Sequence, residues 1–153
     1  MTLEQQLQLI IDDAANYGVP SSVVESAIAP VLKVFAEQLQ HLEYFVLQNL
    51  AEDWVLTTIA NPQLQQSKKV IYAFISVQDA ATFQGTANAD LIAMPIDVVQ
   101  LLFRLFSLQE VDSIIFLENS LNLNHGVEIE RDRLSQLIRQ QIEQLGKIPP
   151  NIA

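Results

Sequence analysis

Between Ile96 and Leu108 the chain reads Ile-Asp-Val-Val-Gln-Leu-Leu-Phe-Arg-Leu-Phe-Ser-Leu. Asp97, Gln100, Arg104 and Ser107 recur at helical spacing and make one narrow polar stripe, and apolar side chains cover the rest. A helix this widely apolar is buried on more than one side. It therefore needs two layers around it, and no other segment constrains the architecture as strongly. The surrounding stretch, Leu91 to Leu108, is the most apolar in the chain, yet Asp97 and Arg104 make it a poor membrane span. The expected solution is a core helix with a sheet on one side and the N-terminal helices on another.

The N-terminal third supplies helices. Thr2 and Gln5 fit a capping box, in which each side chain satisfies an orphan amide of the first turn. Leu3, Leu7, Ile10, Ile11 and Ala14 then follow at helical spacing until Gly18 and Pro20. Ser22 with Glu25 offers a second capping box, and Val23, Val24 and Ile28 lead to Pro30, which kinks the run or opens a new helix. From there Val31, Phe35, Leu39, Leu42, Val46 and Leu50 form one apolar stripe, with Lys33, Glu37, Gln40, Tyr44 and Gln48 opposite. This spacing predicts an amphipathic helix over residues 31–50.

The pattern changes at Asp53. Trp54 to Ile59 and Val70 to Ile75 are short, aromatic and β-branched, as strands prefer, and the polar loop Gln63 to Lys69 makes them an antiparallel hairpin. Ser76 caps a short helix, Val77 to Phe83, followed by a loop from Gly85 to Asp90. Leu91 to Met94 reads as a third strand closed by Pro95, Ser113 to Leu117 as a fourth, and Val127 to Ile129 as a fifth, reached through an Asn-rich turn ending at Gly126. A last helix runs from about Arg131 to Leu145, with Gly146 and two prolines beyond it. Helices first, then β-β-α-β-α-β-β-α, is an α+β fold with a small mixed or antiparallel sheet. Two regions are expected, an acidic helical segment over 1–52 and an α+β domain over 53–147, forming one compact unit.

Charge follows the same boundary. Acids outnumber bases 18 to 8, a formal net charge of -10, and eight of the acids but one of the bases precede Trp54. An acidic chain is a poor match for nucleic acid or for an anionic membrane surface, both of which call for clustered Lys and Arg. With no cysteine there is neither a disulfide framework nor a Cys-based zinc site. Met1 to Gln8 lacks the basic and apolar regions of a signal peptide, so a soluble, cytoplasmic protein is expected.

From Trp54 onward the order of pieces resembles the SseB-like domain of bacteria. The resemblance rests on the strands Trp54 to Ile59 and Val70 to Phe74, the Phe74-Ile75-Ser76-Val77-Gln78-Asp79-Ala80 turn into a helix, the segment Leu91 to Phe106 with Met94-Pro95, the strand Ile114-Ile115-Phe116, and Gly126 to Ile129 followed by Leu134. It covers residues 54–145. Glu118-Asn119-Ser120 stands where the family has an Asn-Pro turn, and the acidic helical N-terminus is additional. The resemblance implies the α+β fold and no catalytic motif.

Candidate chemistry is sparse. The four glycines form no phosphate loop or dinucleotide fingerprint, and no nucleophile elbow is present. His41 and His125 lie at no metal-ligand spacing and read as surface residues. Asp12 and Asp13 diverge by about 100° on a helix, so they do not converge on an ion. Glu128 and Glu130 alternate and share a strand face, with Arg131 and Arg133 available to neutralise them. No cofactor or metal is expected. The leading functional expectation is a non-enzymatic interaction module (adaptor, regulator or chaperone-like), binding a protein partner of basic character or a second copy of itself. Its candidate interface is Val31, Phe35, Leu42, Val46, Leu102, Leu105 and Phe106. The alternative is a small-molecule-binding or enzymatic domain with a pocket near Trp54, Tyr72 and Arg104, a cavity lined by aromatic groups with one convergent charge.

Overall fold

A computed structural model describes residues 1–84, 90–119 and 126–146 of the 153. The expected loop after Gln84, the Asn-rich turn with His125 and the C-terminal prolines lie outside the described residues.

Helix α1, Leu3–Asp12, begins with the expected capping box: the Thr2 hydroxyl accepts from the Gln5 amide and the Gln5 side chain accepts from the Thr2 amide. A 3₁₀ turn, Ala14–Tyr17, ends on Gly18 at φ 73, a left-handed conformation that glycine adopts without steric cost. Helix α2, Ser21–Val23, runs through a π-helical turn, Val24–Ile28, into α3, Ala29–Glu37. Pro30 therefore neither breaks nor starts the run. It has no N–H to donate to the Ser26 carbonyl one turn back, the helix widens just before it, and Gln141 donates to that carbonyl instead at 3.5 Å. Ser22 makes no cap, because the helix starts at Ser21 after Pro20.

The helix predicted over 31–50 stops at Glu37, and residues 43–48 form strand β1, Glu43–Gln48. Val46 fits the helical stripe, but Tyr44 and Val46 together also fit a strand alternation, and aromatic and β-branched residues favour the strand. Pairing decides the outcome, since β1 lies between two other strands. Residues 49–53 form a turn built on Asn49, whose side-chain oxygen accepts from the Ala51 and Asp53 amides at 2.9 and 3.0 Å. Trp54 makes a single bridge to Gln48, and the strand expected at 54–59 begins later, as β2, Thr57–Asn61. It pairs antiparallel with β3, Gln66–Phe74, as the hairpin reading required. Helix α4, Val77–Gln84, starts on the Ser76 hydroxyl, which accepts from the Asp79 amide at 3.1 Å.

Strand β4, Ile92–Asp97, continues through Pro95, so Pro95 does not close it and Ile96 belongs to the strand. An edge strand tolerates proline because only one side of its backbone is paired. Helix α5, Val98–Ser107, strand β5, Ser113–Leu117, strand β6, Val127–Glu130, and helix α6, Arg131–Gly146, complete the chain. From β2 onward the order is the predicted β-β-α-β-α-β-β-α. The sheet is mixed, in the order β4-β1-β3-β5-β6 with β2 also on β3, and β3 with β5 is the parallel pair.

The two sheet faces are covered unequally. Tyr44, Val46, Ile71, Ala73, Ile114, Phe116 and Ile129 point to one face, where they join the main core with α1, α3, α5 and α6. Val98, Val99, Leu101, Leu102, Phe103 and Leu105 of α5 are all buried there, which meets the demand for layers on more than one side. Phe45, Leu47, Tyr72, Phe74, Ile115 and Leu117 point to the other face, where α4 packs.

Two polar contacts hold the layers in place. Asp97 gives no side-chain cap to α5. Gln6, 3% exposed, does that from α1: its carbonyl oxygen accepts from the Val99 amide at 3.1 Å and its NH₂ donates to the Leu42 carbonyl at 3.0 Å. Glu118 accepts from the Gln40 amide at 2.9 Å and from the buried Tyr44 hydroxyl, tying the end of α3 to β5. Burial and this carboxylate push the Tyr44 hydroxyl far above its ordinary pKa, so it remains a donor.

Candidate functional site

The residues expected to form an interface do not form a surface. Val46, Leu102 and Leu105 are essentially inaccessible, Phe35 is buried, and all four share the main core. Val31 and Phe106 are half-buried against it, and Leu42 alone is well exposed. The stripe on residues 31–50 predicts one helix by its spacing. Its halves belong to a helix and a strand on opposite sides of the same core.

The expected pocket residues separate in the same way. Strand neighbours point to opposite faces. Ile71 therefore faces the helices with Trp54 and Arg104, while Tyr72 faces α4. Trp54 and Arg104 do meet: the guanidinium carbon lies 4.0 Å from the centre of the indole ring, a close cation–π contact. They wall a cleft of about 370 Å³, with Leu56, Ile71, Leu108 and Val111 as apolar sides and Asp53 and Glu110 at the exposed rim. Burial pulls the Arg104 pKa down, although an arginine stays charged at any physiological pH. Among the described residues Arg104 makes no ion pair, and neither Asp53 nor Glu110 reaches it. The Trp54 indole N–H is buried with no hydrogen-bond partner among the described residues. Such an orphan costs about 1–3 kcal/mol.

Tyr72 lies instead in a groove of about 270 Å³ on the α4 side, with Leu47, Val55, Phe74, Phe83 and Leu91. Its rings cluster closely, Tyr72 to Phe83 at 4.5 Å and Phe74 to Phe83 at 5.4 Å between centres. Phe83 is 39% exposed, an unusual position for a phenylalanine at the centre of an aromatic cluster. The charges on this sheet face follow from the strand register. Glu43 stands opposite Asp97, and Glu128 and Glu130 share the face as expected. Glu128 is neutralised by Lys68 at 2.6 Å, with the Ser113 hydroxyl donating to the same oxygen at 2.6 Å. Arg131 is turned away, donating to the Val111 carbonyl at 3.1 Å. Burial raises the Glu128 pKa, but the Lys68 and Ser113 contacts outweigh it and the net shift is downward. That face therefore also carries Glu43, Asp97 and Glu130, the last of them within the field of Lys68.

His41 is exposed and stands edge-on to Tyr44 at 5.8 Å, with no catalytic neighbour. No group of three metal-ligating side chains occurs among the described residues, and no helix among them is long and apolar enough to cross a membrane. No family model, curated protein or solved structure matches the chain.

Proposed function

We propose that the protein is a non-enzymatic interaction module that receives an apolar, basic-flanked segment of a partner protein on the α4 side of its sheet. One observation carries this reading: an aromatic groove, with Phe83 exposed in it, lies on a sheet face that among the described residues is covered by one helix of eight residues and that also carries Glu43, Asp97 and Glu130. Exposed apolar clusters with polar rims mark protein-binding surfaces. The acids Glu43, Asp97 and Glu130 on that face favour basic flanking residues and oppose acidic ones. The lack of cysteine suits a reducing, cytoplasmic setting. The resemblance to SseB-like domains remains a proposal about descent and adds no activity.

Selection from a displayed peptide library tests the reading. Bound peptides should combine an apolar core with Lys or Arg, lose affinity as salt rises, and lose it again with Phe83→Glu at an unchanged melting temperature. Failure to select such peptides, or retained binding by Phe83→Glu, overturns the proposal. Light scattering that gives a dimer broken by Phe83→Glu would assign the groove to a second copy of the chain instead. The second reading, a small-molecule site, is favoured by the Trp54–Arg104 cleft on the opposite face.

A further inference from the structure

The Trp54–Arg104 cleft combines three features that an ordinary surface depression lacks. First, Arg104 presents a guanidinium with no carboxylate partner among the described residues, held in place by stacking on Trp54. A guanidinium is a planar fork of donors matched to a carboxylate. Second, the adjacent indole N–H is buried and lacks an acceptor. Buried polar groups are nearly always paired, so the wall of this cleft carries an uncompensated donor. Third, Asp53 and Glu110 line the same cleft and do not pair with Arg104. Charges of both signs facing one cavity without neutralising each other suit a ligand that carries both.

We infer that this cleft binds a free apolar α-amino acid. Its carboxylate takes the Arg104 fork. Its ammonium faces Asp53 and Glu110, and its side chain lies among Leu56, Ile71, Leu108 and Val111. The volume of about 370 Å³ is at the small end for ligand pockets, which suits an amino acid better than a nucleotide. The inference rests on the small-molecule reading of this cleft and is independent of peptide docking on the other sheet face.

Trp54 is the one tryptophan of the chain, so its emission reports on this cleft alone. The full-length protein is titrated with L-leucine, L-isoleucine, L-valine and L-methionine in turn. Isopentylamine, which lacks the carboxylate, and N-acetyl-L-leucine, which lacks the ammonium and mimics a chain terminus, are titrated alongside. At least one amino acid should give a saturable change, and both analogues should bind at least about tenfold more weakly. Arg104→Gln should abolish the response. Should Arg104→Gln not fold, the Asp53→Asn, Glu110→Gln double variant, altered at two exposed positions, should weaken the amino acid and leave N-acetyl-L-leucine unchanged. No saturable response to any of the four amino acids overturns the inference. So does isopentylamine or N-acetyl-L-leucine binding as tightly as the amino acid, or unchanged binding by folded Arg104→Gln or by the double variant.

Discussion

Replacing Gln6 by leucine removes two hydrogen bonds and almost no volume. The side chain is nearly inaccessible and joins α1 to both the Val99 amide and the Leu42 carbonyl. The carbonyl keeps a partner, because the Val98 amide also donates to it at 2.9 Å. The Val99 amide keeps none. An unmet buried amide costs about 1–3 kcal/mol, and the apolar replacement returns part of that, leaving a loss of about 1–2 kcal/mol. In a chain of this size that lowers the melting temperature by about 2–8 °C. Urea unfolding followed by circular dichroism gives the free energy, and hydrogen exchange at the Val99 amide should accelerate ahead of the rest of α5. Gln6→Glu sharpens the test. Its carboxylate still accepts from Val99 at the positive end of α5, but its second oxygen faces the Leu42 carbonyl and can donate there only when protonated. The folded-state pKa is therefore raised. The stability from that proton is present below the usual glutamate value of about 4.3 and lost as pH rises through the raised value. The variant should be weaker than wild type at pH 7 and should close the gap on acidification. A Gln6→Leu protein as stable as wild type, with Val99 still protected, would refute the capping argument.

Three further outcomes are expected. Leu102→Ala should cost about 2–5 kcal/mol as a core cavity in α5, and Leu102→Asp should fail to fold; a retained melting temperature in either would contradict the burial of that helix. Gly126→Ala should cost about 1–3 kcal/mol in chemical denaturation, because the new methyl would sit 2.7 Å from Ile115 Cγ2 and 2.8 Å from the Phe116 carbonyl oxygen, and backbone cannot yield as a side-chain tip can. The lowered Glu128 pKa contributes stability above the ordinary glutamate range and loses it as pH falls through the lowered value. Glu128→Gln should thus be less stable than wild type at pH 7 by about 1 kcal/mol at most, since Lys68 is substantially exposed, with the difference vanishing as pH falls through the lowered Glu128 value; a difference that grows on acidification would reverse the assignment.

The element order after residue 54 was readable because each piece carries its own local signal. Short aromatic and β-branched runs mark β3 and β5, Ser76 marks the start of α4, and the wide apolar surface of α5 demands burial on several sides. The reading failed where two periodicities coincide. Val31, Phe35, Leu39, Leu42 and Val46 fit a helix at every step, and only the long-range pairing of β1 with β3 and β4 shows that the helix ends at Glu37. Val46 is in the core because it lies on β1, and Leu102 and Leu105 are there because α5 is covered on several sides. Trp54 and Arg104 were legible as a pair because aromatic and cationic residues are conspicuous among apolar neighbours. Tyr72 was misplaced because the sheet face of a fully apolar strand cannot be read from its own residues. Gln6 and Glu118 carried no signal, since a polar residue that serves a distant backbone looks like any surface residue in sequence.

The place of β1 in the sheet also sets the order in which the protein can become stable. Its neighbours arrive well after it in the chain, β3 ending at Phe74 and β4 at Asp97. Until β3 and β4 have been made, β1 has two open edges, and until α5 follows, the apolar sides of α1 and α3 lack the layer they cover. A nascent chain on the ribosome therefore has no early resting point: the first half waits for the second. Closing such distant contacts late is slow, and a chain waiting with open strand edges is prone to aggregate. A fragment ending before residue 97 should accordingly be captured by chaperones rather than fold, however regular its helices look in isolation.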